Sequence, residues 1–188
     1  MWALVQNNQV SKVIKNPQAI TIGDVNYPSN IFSLWSVSEL NAISIYEVTF
    51  DDTNYKNPEY WINGNQSFVY ANGAVTASYG VATPRDLDDS GSGILYVPGL
   101  KTTHKNTVDS QAYALLQPND WLVVRNQEVG TAIPADWSTY RSDVRSTADD
   151  MKTKIDAVTT VDELAALYVY DPDTGTRPLG EWPTPPSN

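Results

Sequence analysis

The chain has 188 residues, 41% apolar and 18% charged, which is typical of an ordinary globular protein long enough to bury a core. Its net charge of −10 argues against nucleic-acid binding, because phosphate contacts need a basic face. The absence of cysteine excludes disulfides and thiolate metal sites. No stretch approaches the roughly 20 apolar residues that span a bilayer. The first residues lack the pattern of a secretion signal, so we expect synthesis in a cytoplasm and no membrane partner.

Residues 1–85 predict a β-rich domain of antiparallel hairpins with a short helix. Asn7-Asn8 separates two β-prone runs, and asparagine tolerates the positive φ of a tight turn. Asn72-Gly73 is a stronger hairpin signal of the same kind. These turns join strands that are neighbours in the chain, so the expected pairing is antiparallel.

A short helix and a further strand are predicted between the two hairpins. Ser36 stands three residues before Glu39, which is the spacing of a capping box, and the helix should extend to about Ile43. Alternation in "SIYEVTF" then indicates a half-buried strand. Residues 86–101, which follow the second hairpin and include a polar stretch, are interpreted as an exposed loop or linker.

Residues 102–170 predict a small helical domain. An amphipathic helix includes Val108 and the apolar residues four, seven and eight positions later. Pro134 suits the first turn of a second helix, whose apolar stripe would run for about 30 Å. Thr160 and Glu163 form a second capping box before a short helix, and the last two helices are predicted to form an αα-hairpin. The members of the long stripe are Trp137, Tyr140 or Arg141, Val144, Ala148, Met151, Ile155 and Val158.

Two segments are predicted not to be helical. "PNDWLVVRNQEVG" is interpreted as a bridge between helices, with Trp121 available for burial. Residues 171–188 are rich in proline and should form an extended tail. A large ring in such a tail is rarely left in water, so Trp182 is predicted to dock on the domain or on a neighbouring subunit.

The sequence shows no pattern that predicts catalysis. His104 is the single histidine, and we expect it to be solvated or to cap a helix. Asp86 and Asp88 match the front half of a calcium loop, but Val97 stands where the bidentate glutamate belongs, which favours a plain turn. Carboxylates are plentiful, yet no spacing selects a glycosidase pair. We therefore expect no enzymatic activity, no catalytic residue, no cofactor and no metal.

The stretch "WSTYRSDVR" places two aromatic residues and two arginines on one short helical segment of an acidic chain. It could recognise something negative, or it could pack a helix against its neighbour. Arg141 and Arg145 lie one turn apart and can reach carboxylates such as Asp120 or Asp136 while their carbons pack. The packing interpretation is favoured.

The segments "LLQPNDWLVVRNQEVG" and "IPADWSTYRSDVR" together resemble the phage tail assembly chaperone-like domain. That family combines a helix ending in Leu, a (Ser/Thr/Asn)-Asp-Trp triplet and a Trp-x-x-Tyr-Arg-x-x-(Leu/Val)-Arg helix. Residues 31–50 are similar to segments of tail-fibre-associated proteins of cyanophages and other aquatic phages, which usually have glycine where this chain has Ser44. The matched parts cover roughly half of the chain. The positions that match the motif are Leu115, Leu116, Asn119, Asp120, Trp121, Trp137, Tyr140, Arg141, Val144 and Arg145.

The resemblance implies a non-enzymatic virion or virion-assembly protein of the tail, baseplate or fibres rather than the head. Its expected partners are other virion proteins and copies of itself. The alternatives are a transient non-virion tail-fibre assembly chaperone, a host-surface carbohydrate-binding module and a capsid decoration protein. The residues expected at helix-packing or interface positions are Trp121, Trp137, Tyr140, Arg141, Val144, Arg145 and Trp182.

Overall fold

The computed structural model describes residues 1–187 and divides into two compact units, Met1–Thr83 and the residues from Pro84 onward. The first unit is mainly strands and the second mainly helices, so the predicted α+β class and its order along the chain are confirmed. Residues 86–101, predicted as a linker, belong to the second unit. Their backbone is hydrogen-bonded to the start of the first long helix, since Leu100 N–H donates to the Asp86 carbonyl at 2.9 Å.

The first unit consists of short strands and two short helices. Five of the strands form one sheet in the order β2-β1-β5-β8-β7, and β3 pairs separately with β4. The strands are β1 (Trp2–Gln6), β2 (Gln9–Ile14), β3 (Ile20–Ile22), β4 (Val25–Tyr27), β5 (Ile45–Asp51), β6 (Trp61–Ile62), β7 (Gln66–Ala71), β8 (Ala74–Tyr79) and β9 (Thr83–Pro84). The helices are α1 (Ile31–Leu34) and α2 (Val37–Ala42).

Both predicted hairpins are confirmed. β1 pairs with β2 and β7 with β8, in each case antiparallel. The turn residues have positive φ, with values of 52° and 59° at Asn7 and Asn8 and of 53° and 78° at Asn72 and Gly73. These are the backbone angles that let a two-residue loop follow the twist of the strands it joins. The capping box at the start of α2 is confirmed as well.

The two antiparallel hairpins are joined into a mixed sheet, which the predicted antiparallel pairing did not include. β5 and β8 pair in parallel, with Val48 opposite Val75. The Thr49 hydroxyl donates to the Val75 carbonyl at 3.1 Å and adds a side-chain bond to this ladder. A parallel pair needs a crossover, which residues 52–65 and β7 supply here. No local turn signal encodes such a pairing.

Apolar side chains cover both faces of β1. Leu4 lies in one cluster with Phe32 of α1 and Leu40 of α2. Ala3 and Val5 point to the other face, as the period of two residues requires, and pack in a second cluster with residues of β5 and β8. The helices therefore close one face of the sheet, while alanine and valine side chains form the buried centre of the other face.

The second unit contains four α-helices among its described residues, joined by short turns. These are α3 (Leu100–Leu116), α4 (Trp121–Val129), α5 (Ala135–Ala157) and α6 (Val161–Ala166), with 3-10 turns at Gly93–Leu95 and Gln117–Asn119. The predicted stripe of α5 is confirmed and the capping box of α6 is present. The segment predicted as a bridge is helix α4, which ends at Gly130 in a left-handed conformation with φ of 71°.

The main helix pair is α3 with α5, not the hairpin of the last two helices that the sequence predicted. The two helices run antiparallel, as two ion pairs show. Lys105 bonds to Asp156 at 2.7 Å, and Lys152 bonds to Asp109 at 3.0 Å. α6 is a six-residue helix that follows α5 after a short turn. Within residues 1–187, no helix combines the length and apolar character needed to cross a membrane.

Ser44 stands in the turn between α2 and β5 and has a φ of +64°. In this left-handed region, the Cβ of any residue other than glycine comes close to the following carbonyl oxygen. The close approach costs about 1–2 kcal/mol. Glycine would adopt this left-handed turn without that cost.

Ser44→Gly is expected to stabilise the first unit by about 0.5–1 kcal/mol, because relief of strain exceeds the added freedom of the unfolded chain. Urea denaturation followed by tryptophan fluorescence measures the change. Ser38→Gly, an exposed position within α2, is the matched control and should lower stability slightly. Equal effects of the two substitutions would contradict the role of the turn.

Candidate functional site

Helix α5 carries a buried arginine against the corner where α3 ends and α4 begins. Arg141 is 5% exposed. Its Nη1 donates to the Leu116 carbonyl at 3.1 Å and to Asn119 Oδ1, while Nη2 donates to Asp120 Oδ1 at 2.7 Å. A buried guanidinium is tolerated when its N–H groups find acceptors, and these three oxygens provide them. Of the two carboxylates that the sequence offered, Asp120 and Asp136, Arg141 contacts Asp120.

The Asn-Asp-Trp triplet forms this corner. Asn119 is buried, and its Nδ2 donates to the Leu115 carbonyl at 3.2 Å, which closes the last turn before α4. On α4 the buried position is taken by Leu122. Since neighbouring residues on a helix point about 100° apart, Trp121 faces outward and is 56% exposed. The prediction that Trp121 packs in the core is wrong for this reason.

A cleft of about 530 Å³ opens beside the corner. The Arg125 guanidinium lies over the ring of Trp121, 4.7 Å from its centre. Trp137 is half-buried and meets the buried ring of Tyr140 edge-to-face at 5.7 Å. The residues that line the cleft, besides Leu122, are Pro118, Asn119, Trp121, Arg125, Pro134 and Trp137. Two indoles, two prolines and one arginine therefore share an open concave surface.

Arg125 Nε is buried and has no hydrogen-bond partner, which sets it apart from the other buried side-chain nitrogens and oxygens of residues 1–187. An unpaired buried donor costs about 1–3 kcal/mol, and native proteins contain few of them. The Arg125 guanidinium, which lines the cleft, therefore has fewer hydrogen-bond partners than the Arg141 guanidinium.

The remaining predicted residues lie elsewhere on the helices. Val144 is fully buried in the stripe of α5. Arg145 is exposed and donates to the Arg141 carbonyl at 3.0 Å. Trp182 donates from its indole nitrogen to Gln111 Oε1 at 3.0 Å, so it docks on α3. Neither Arg145 nor Trp182 lines the cleft.

The segment after α6 returns to the helices. Leu179 is buried, and its N–H donates to the Leu167 carbonyl at 2.9 Å. Lys154 donates to the carbonyls of Pro178 and Leu179 at 2.8 and 3.0 Å. Residues 171–187 contain turns and no regular helix or strand, and Asn188 lies outside the described residues. A lysine on α5 thus holds a segment for which the sequence predicted only an extended form.

The acidic loop predicted as a plain turn has a structural role that sequence reasoning missed. Asp89 accepts hydrogen bonds from Gly99 N–H at 2.8 Å, from the Tyr96 hydroxyl at 2.8 Å and from the Thr102 hydroxyl at 3.0 Å. The bond from Gly99 is the main reason that the pKa of Asp89 lies below its ordinary value. Residues 1–187 contain no group of three or more histidine or acidic side chains placed to hold a metal ion.

Asp89 also fixes the base of a loop with an apolar tip. Ile94 is fully exposed, and Leu95 and Val97 are more than half exposed. Ser90 and Val97 close the loop with two backbone hydrogen bonds of 3.0 and 2.8 Å. Exposed apolar side chains grouped on a constrained loop are typical of a contact surface.

The prediction for His104 is wrong, because this histidine is 5% exposed. Its Nδ1 is 2.8 Å from the Tyr168 hydroxyl, and the two rings lie 4.9 Å apart. His104 stands one turn before Val108 on the buried face of α3, so helical spacing alone could have placed it there. It ties α3 to the residues that follow α6.

Comparison with known proteins identifies no relative of this chain. The chain matches no protein-family model, and neither curated proteins nor solved structures return a similar chain.

Arg141→Ala is expected to destabilise the second unit by about 1–3 kcal/mol, because it leaves the buried Asn119 Oδ1 and the part-buried Leu116 carbonyl without their donor. Urea denaturation followed by circular dichroism at 222 nm measures this loss. Arg145→Ala, one turn away and exposed, is the control and should cost less than about 1 kcal/mol. Similar losses in the two variants would show that the corner does not depend on the buried guanidinium.

Asp89→Asn is expected to lower the stability of the second unit at neutral pH and to weaken its dependence on acid. A carboxyl whose pKa is lowered on folding stabilises the folded state above its unfolded pKa, and this contribution is lost as the pH falls through the folded pKa. Thermal denaturation between about pH 7 and pH 2 should show a shallower decline in the variant. Some decline will remain, because the pKa of Glu163 is lowered mainly by the Thr159 N–H. Asp86→Asn serves as the control. If Asp86→Asn and Asp89→Asn show the same dependence of stability on pH, the expectation for Asp89 is contradicted.

Proposed function

We propose that the chain is a non-enzymatic protein-binding component of a bacteriophage tail, at the baseplate or the fibres. The observation that carries the binding role is the exposed indole of Trp121 in an open cleft whose walls are held by the buried Arg141. Surface aromatic rings on a rigid support are characteristic of protein interfaces.

A second surface supports the same role. The loop closed by Ser90 and Val97 presents Ile94 and Leu95 to solvent, while Asp89 fixes its base. Loops without a contact role seldom keep adjacent large aliphatic side chains exposed, because these lower solubility without adding to the core. A chain with two such surfaces has the properties of a component that joins other proteins.

The assignment to a tail is supported by the resemblance of the Asn-Asp-Trp and Trp-x-x-Tyr-Arg motifs to the phage tail assembly chaperone-like domain. Arg141 of the second motif donates hydrogen bonds to both Asn119 and Asp120 of the first. The motif residues therefore act as one unit, which gives a physical reason for their joint occurrence. A transient assembly chaperone would use the same surfaces, so the two functions differ in whether the chain stays in the particle.

Mass spectrometry of purified phage particles, together with labelling by antibodies against the chain, tests the proposal. We expect the chain in intact particles, with the label on the tail. Detection with a fibre protein in lysates of infected cells but not in mature particles would contradict a resident component and favour the assembly chaperone. Label on the head would favour a capsid decoration protein. Binding to a glycan array that is lost in the Trp121→Ala variant would favour a carbohydrate-binding module.

A further inference from the structure

The cleft beside the Arg141 corner contains a cation that the described part of the chain leaves without a carboxylate. Arg125 forms no ion pair within residues 1–187, and its recorded contact is with the ring of Trp121. The chain has 22 Asp and Glu residues against 12 Lys and Arg, so acidic partners are not scarce. Glu128, three residues further along α4, forms no ion pair with Arg125. Asp120, five residues before Arg125, is already bonded to Arg141. The positive charge of Arg125 is thus free to meet an anion that comes from outside.

The walls of the cleft define the second part of a ligand. Trp121 and Trp137 supply aromatic surface, and Pro118 and Pro134 supply rigid apolar edges. Grooves lined by aromatic rings take extended proline-containing segments, whose low conformational entropy reduces the cost of binding. A volume of about 530 Å³ is ample for two or three residues of such a segment.

We propose that this cleft binds an extended segment of a partner protein in which a carboxylate side chain stands next to proline. The carboxylate bonds to the Arg125 guanidinium, and the proline ring packs on the exposed indole of Trp121. This deepens the proposed function, on which it rests for the partner being a protein. Charge complementarity selects an acidic segment, since a basic one would place two cations together and a neutral one would leave Arg125 unpaired.

Nuclear magnetic resonance of the full chain labelled with ¹⁵N tests the proposal, because the indole N–H signals of Trp121 and Trp137 report on the cleft. The probes are three capped peptides, Gly-Pro-Glu-Pro-Gly, Gly-Pro-Gln-Pro-Gly and Gly-Ala-Glu-Ala-Gly. We expect the first to shift both indole signals in a saturable way. The glutamine peptide should bind about tenfold more weakly, since it lacks the charge-assisted bond. The alanine peptide should also bind more weakly.

Variants locate the effect. Arg125→Gln should remove the difference between the glutamate and glutamine peptides, whereas Arg145→Gln, an exposed arginine outside the cleft, should keep it. Arg125→Lys keeps the charge and should retain part of the preference even if Arg125→Gln is poorly folded. Thermal denaturation of each variant shows whether the helical unit is intact.

With the peptides, the proposal would be overturned by the absence of any saturable shift, by equal affinity for the glutamate and glutamine peptides, or by a preference that survives in folded Arg125→Gln. Concentration-dependent shifts of the same indole signals without peptide would also overturn it, because a second copy of the chain would then occupy the cleft. Peptide discrimination by a chain that is absent from phage particles would leave the cleft proposal standing and contradict only the tail assignment. If the chain is present in particles but does not discriminate between the peptides, the tail assignment stands and the cleft proposal is contradicted.

Discussion

The buried guanidinium of Arg141 is the constraint on which the helical unit depends. Its charge cannot lie within the protein unless several of its N–H groups find oxygens in fixed directions. The oxygens come from the end of α3, from the turn after it and from the start of α4. One side chain of α5 therefore fixes the positions of three consecutive segments, and the path of the chain from α3 into α4 follows from that requirement.

This constraint separates two kinds of residue that the sequence presents together. Arg141 and Tyr140 are buried and serve packing, whereas Trp121 and Arg125 line the cleft. Because Asp120 is bonded to Arg141, it is not the counter-ion of Arg125. The interaction that stabilises the corner thus leaves a cation and an indole at the cleft where the partner is proposed to bind.

Local signals predicted the parts of the structure that depend on local chemistry. The hairpin turns, the capping boxes and the α5 stripe from Tyr140 to Ile155 were correct, since each is encoded by residues a few positions apart. The parallel pairing of β5 with β8 and the antiparallel packing of α3 on α5 depend on distant contacts and were missed. At the site, the Arg141–Asp120 contact was predictable. The exposure of Trp121 was not, because it depends on which residue of α4 occupies the buried position.

The irregular segments of the helical unit share one means of support. Asp89 fixes the loop with the apolar tip, Arg141 fixes the corner, and Lys154 holds the segment around Leu179. In each case one charged side chain bonds to two or more groups of a loop, a turn or a helix end. A surface held in this way loses little conformational entropy when a partner binds, so more of the contact energy appears as affinity. The arginines and aromatic residues of α4 and α5 therefore do not have to serve either packing or recognition alone. The buried members rigidify the support, and that rigidity would favour the binding proposed for the exposed members.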